Sequence, residues 1–185
     1  MRTCPALRAV LLLVAGVLLL HVADPAAAEG AAQLQSDARS ALDSLTAGTP
    51  AAKELSKSAV AVLVFPKITK AGFILGGQYG EGVLFERGKA VGYYSTGGAS
   101  YGLQAGAQEY GYAMFFMKPA ALESLKQTDG FEVGVGPSVV VVDEGMGKSL
   151  TTITAQNDVY AFIFSQKGLM AGLGLLGSKI SRIEM

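Results

Sequence analysis

One cysteine and one histidine are the only thiol and imidazole in these 185 residues, and both, Cys4 and His21, lie in a stretch that reads as a removable leader. Without them the chain has no thiol nucleophile, no imidazole to relay a proton, and no sulfur or ring nitrogen for zinc. Carboxylates and lysines remain. Glu81, Glu86, Glu109, Asp129, Glu132, Asp143, Glu144 and Asp158 are the acids that could form a hydrolytic pair. Nothing in their spacing selects a pair, and most flank turns, where carboxylates are solvated. Asp143-Glu144 lacks the surrounding ligand loop that a hard cation needs. The expectation is a protein that is not an enzyme, with no catalytic residues, no metal and no cofactor.

Two phosphate-loop look-alikes fail on spacing. Gly145-Met146-Gly147-Lys148-Ser149 ends like a nucleotide-binding loop, but Val142 stands where the first glycine belongs. Gly77-Gln78-Tyr79-Gly80-Glu81-Gly82 reverses the dinucleotide fingerprint and leads into a strand.

The cations suggest a different chemistry. Lys67 and Lys70 sit three apart between two apolar strands, with Phe73 close by. Lys179 and Arg182 lie near the carboxyl end, beyond Met170, Leu173 and Leu175. A cation with an apolar neighbour suits an anionic lipid, ammonium to phosphate and side chain to acyl boundary. Each such charge is worth about 1 kcal/mol near an anionic surface, so the binding would be reversible.

The leader reading rests on Arg2 and Arg8, the apolar run Val10–Leu20, and Ala26 and Ala28 before a cut at Glu29. The run is too short to span a bilayer. Residues 1–28 are therefore expected to be a signal peptide and 29–185 a single domain exported to the periplasm or cell envelope. Removing Arg2, Arg8 and Asp24 leaves 13 basic and 14 acidic residues. So neutral a surface argues against nucleic-acid binding, which needs dense phosphate neutralisation. With no cysteine left for disulfides, stability must come from a packed core.

The elements that would position these residues follow from periodicity. Leu34, Ala38, Ala41, Leu42 and Leu45 predict an amphipathic helix over 31–47, ended by Gly48. Thr49-Pro50 predicts the cap and first residue of a second helix over about 50–58. Val60–Phe65 is continuously apolar and β-branched, as in a strand buried on both faces. Further strands are predicted over 71–75, 82–86, 89–94, 100–104, 110–117, 131–135, 139–142, 150–154 and 159–164. Arg87-Gly88 reads as a turn, 119–126 as a short helix with Leu122 and Leu125 inward, and Lys179–Ile183 as alternating. Of the 24 glycines, most fall inside or beside apolar runs, where they mark bulges, curvature or close backbone approach. The fold class expected is mainly β (α+β): an antiparallel, Gly-rich curved sheet, or a barrel or sandwich. It carries one or two amino-terminal helices and one short internal helix. The leading helices and the non-alternating Val139–Val142 run argue against an outer-membrane barrel.

Several motifs together resemble the SYLF domain family. Phe65-Pro66-Lys67-Ile68-Thr69-Lys70-Ala71-Gly72-Phe73, followed by Gly76-Gly77 and Gly80-x-Gly82, is similar to its opening. Gly92-Tyr93-Tyr94 and Tyr101–Gln108 are similar to its centre, and Ala161–Phe164, Lys167–Gly172 and Gly177–Ile183 to its close. The match covers about residues 50–184. The resemblance implies a non-catalytic module that binds anionic membrane lipids peripherally. Actin, a partner of fungal members, is not expected in the envelope. The alternative is a structural or partner-binding envelope protein, using the Ala-rich first helix and tyrosines 93, 94, 101, 110 and 112 as a docking face.

Overall fold

The computed structural model describes residues 25–127, 131–132, 137–142, 156–168 and 178–185. Two strands dominate them. β1 (Ala61–Glu86) and β2 (Lys89–Phe116) pair antiparallel over almost their whole length, from Ala61 opposite Phe116 to Glu86 opposite Lys89. The link is the two-residue turn Arg87-Gly88, with φ of 49° and 77°. Left-handed backbone at both positions matches the right-handed twist of the strands it joins.

Six separate strands were expected over this hairpin, and the glycines that lie between them explain the difference. Gly76 and Gly77 continue the ladder opposite Ser100 and Ala99. Register shifts at Phe65/Ile68, Phe73/Leu75 and Leu84/Phe85 absorb the curvature as bulges instead of ending the strand. The bend is tight enough for β1 to double back on itself. A Cβ on Gly82 would lie 2.6 Å from the Val64 carbonyl oxygen, and one on Gly80 2.7 Å from that of Lys67. No other residue type fits those two positions without moving backbone.

The remaining strands attach to β2. β6 (Lys179–Ile183) pairs with its first half, and the short β3 (Phe131–Glu132) pairs with β6. β5 (Val159–Gly168) pairs with its second half, and β4 (Val139–Val142) lies parallel to β5. The result is one curved sheet, not closed into a barrel and antiparallel except for β4 with β5. Six strands lie among the described residues, against the nine to eleven short ones expected. The strand expected at 150–154, the 145–149 loop and residues 169–177 of the tail lie outside the described residues, as does most of the leader.

The continuous apolar run of β1 serves two cores. Ala61, Leu63 and Phe65 join one with Tyr94, Tyr112, Met114, Phe116 and Ile180. Val62 and Val64 join the other with Val83, Phe85, Phe115 and Phe162. Helices cover both. α1 (Pro25–Gly48) and α2 (Pro50–Ser56) bring Ala38, Leu45, Ala51, Ala52 and Leu55 onto the second core. α3 (Pro119–Gln127) brings Ala121, Leu122 and Leu125 onto the first. Fully burying a side chain such as Leu55 is worth about 1.5–3 kcal/mol. α1 starts before the expected 31 and runs through the expected cut at Glu29. Thr49 is extended and Pro50 opens α2, but the Thr49 side chain makes no capping hydrogen bond. The proline's fixed φ carries that helix start.

Candidate functional site

The hairpin turn projects between helices, and a groove of about 670 Å³ opens beside it. Three remote segments build the groove. Ala59 and Val60 come from the entry to β1, Glu86 to Val91 from the turn, and Pro119 and Leu122 from α3. Its walls are apolar, with Val91 44 % exposed. Arg87 and Lys89 stand at the rim, both exposed. Neither makes an ion pair with another described residue. A second cleft of about 200 Å³ shares Ala59 and Arg87 and runs along α1. There Arg39 donates a hydrogen bond to the Gly88 carbonyl (2.7 Å) and lies 5.1 Å over the Phe85 ring, so helix α1 pins the turn.

Glu86 would offset those cations, but Lys126 holds it. Lys126 Nζ lies 2.7 Å from Glu86 Oε1. The hydrogen bond to Glu86 pushes the Lys126 pKa up, against a smaller opposing effect of burial. Tyr94 is close enough to sense this pair and Arg182. Burial raises the phenol's pKa, while Arg182 and Lys126 pull it back. The mouth therefore combines an apolar trough with an excess of positive charge. That arrangement can hold an apolar chain and an anionic head together. Among the described residues no group of three His, Cys, Asp or Glu side chains could hold a metal ion.

The lysines expected to act in pairs are separated. Three residues apart on a strand means opposite faces. Lys67 is exposed and ion-paired to Glu109 at 2.6 Å, whereas Lys70 is buried, 3 % exposed, beside the Ile68 core. Phe73 pairs along the backbone with Ala105, and its side chain lies outside the described residues. Lys179 is exposed between Gly97 and Glu132, and Arg182 lies opposite Tyr94 on the other face. Of the five, Arg182 alone comes to the end of the sheet that carries the groove. Arg87 and Lys89, which the structure brings to the groove, were not among the expected residues. Their only cue in the sequence is two cations flanking a turn glycine.

Around Lys70 the inner face becomes polar. Gln108 faces it across the ladder, 5 % exposed, with its carboxamide oxygen unpartnered. Tyr110 donates to Gln78 Oε1 at 3.0 Å, and Gln78 Nε2 donates to Ser178 Oγ at 2.5 Å. Burial pushes the Tyr110 hydroxyl up to about 12 and Tyr112 higher still. Tyr94, Tyr110 and Tyr112, each at most 2 % exposed, pack the core and offer no docking face; Tyr93 is half-buried against the second core, and the Tyr101 side chain lies outside the described residues.

Residues 97–184 match the model of the Ysc84 family, described as Las17-binding protein actin regulator. This stretch is a SYLF-type (Ysc84) domain. It begins inside β2 and ends one residue past β6, so it contains α3 and Arg182 and leaves Arg87 and Lys89 just upstream. The SYLF family is associated with lipid binding, which agrees with an apolar groove rimmed by cations. No curated protein matches the chain at a significant level.

Proposed function

We propose that this SYLF-type protein binds anionic lipid headgroups at the surface of a membrane in the cell envelope, without catalysis. The observation that carries the reading is the groove. Val60, Val91, Pro119 and Leu122 offer an apolar bed, and Arg87 and Lys89 offer two cations without carboxylate partners among the described residues. Arg182, near the same end through Tyr94, adds a third. Two or three charges at about 1 kcal/mol each give reversible, salt-sensitive attachment. No described helix is long and apolar enough to cross a membrane, which suits attachment at the surface. Export is supported by the leader-like Val10–Leu20 run and the Ala26-x-Ala28 pattern before Glu29.

Vesicle flotation tests the reading. The protein should float with vesicles of phosphatidylglycerol and phosphatidylcholine and not with phosphatidylcholine alone. Arg87→Glu with Lys89→Glu should abolish flotation. Equal recovery from both vesicles, untouched by that double change, would falsify the proposal. Mass spectrometry of the amino terminus from native envelope should find Glu29 first, and an intact Met1 would remove the export step.

A further inference from the structure

Glu86 is the one carboxylate lining the groove among the described residues, and it stands next to Arg87. Left to itself it would cancel one of the two rim cations and repel an anionic head. Lys126 reaches it from α3, Nζ to Oε1 at 2.7 Å, with both side chains about a third exposed. Glu123, one turn back on α3, is more distant at 4.0 Å. Lys126 does not itself line the groove; it acts through Glu86. We propose that Lys126 is a specificity-determining residue: by occupying the Glu86 carboxylate it leaves Arg87 and Lys89 as the net charge at the mouth, so that the groove selects amphiphiles whose phosphate or carboxylate head carries a net negative charge over zwitterionic ones. This rests on the groove being the lipid site.

The full chain is titrated with vesicles of phosphatidylcholine alone and of phosphatidylcholine with phosphatidylglycerol in equal parts. Lys126→Met should weaken binding to the anionic vesicles about fivefold, the equivalent of one surface charge. Adding Glu86→Gln to it should restore wild-type binding, because the exposed carboxylate is then gone. Lys67→Met is the matched control. It frees Glu109 from an ion pair of similar length, 2.6 Å, away from the groove, and should change binding less than twofold. If Lys67→Met weakens binding as much as Lys126→Met, the effect is one of total charge and the assignment falls. It falls too if Lys126→Met binds like wild type, or if the double variant stays weak. In those cases Arg87→Glu with Lys89→Glu still reports on the groove independently. A wild-type chain that binds neither vesicle overturns the lipid reading and this inference together.

Discussion

Arg87 holds a backbone conformation that costs the protein stability, and its replacement by asparagine separates stability from binding. Its φ of 49° is left-handed, next to Gly88 at 77°. A residue with a Cβ in that region costs roughly 1–2 kcal/mol, and asparagine is among the few that tolerate it. Arg87 makes no hydrogen bond or ion pair with another described residue, so Arg87→Asn sacrifices no such contact. A gain of about 1 kcal/mol is expected. For a chain of this size that raises Tm by about 2–4 °C. The same change removes a rim cation, so affinity for anionic vesicles should fall about fivefold. Thermal melts and vesicle titrations on one preparation read both. A Tm that stays or falls refutes the strain argument. A Tm that rises with binding intact shows that the Arg87 charge meets no lipid.

Other outcomes follow from the packing. Gly82→Ala sets a Cβ 2.6 Å from the Val64 carbonyl oxygen and should cost at least 1–3 kcal/mol in denaturant unfolding, as overpacking does; an unchanged midpoint would mean β1 does not double back. Tyr112→Phe deletes a buried hydroxyl with no partner and should be neutral or stabilising by about 1 kcal/mol, whereas Tyr110→Phe strands Gln78 Oε1 and should destabilise by about as much. The order of the two melts is the check. Asp158 is held below its ordinary pKa mainly by its hydrogen bond to Lys118, and also by Ser138. Its contribution is present above the unfolded value near 4 and lost as pH falls through the folded one. Asp158→Asn should therefore be less stable than wild type at pH 7, with the gap closing on acidification. A gap that persists at low pH would exclude the ion pair as its cause.

What could be read before the fold was seen followed local rules. The Leu34 to Leu45 periodicity gave α1, Leu122 and Leu125 gave the inward face of α3, and Val60–Phe65 declared a strand covered on both sides. Arg87-Gly88 declared a turn. The continuity of β1 and β2 was hidden because glycine has the same local signature at a break and at a bend. Only pairing such as Gly77 with Ala99 distinguishes them. That error placed Lys67 and Lys70 in a loop, where they could act side by side, instead of on a strand that sends them to opposite faces. The groove was invisible for another reason. Ala59, Lys89 and Leu122 meet only after the hairpin twists and α3 packs, and no spacing along the chain encodes that meeting.

The length of β2 has a consequence for where this protein can be cut. Residue 97 falls in the middle of that strand, opposite Tyr79. A fragment begun there would retain β5 on one flank while the flank from Gln108 to Phe116 lost β1, the partner that spans both cores. Such a bare strand edge recruits other chains. Excision at the family match is therefore expected to yield insoluble material, and the smallest autonomous piece must begin before Ala61, with α1 and α2 still attached.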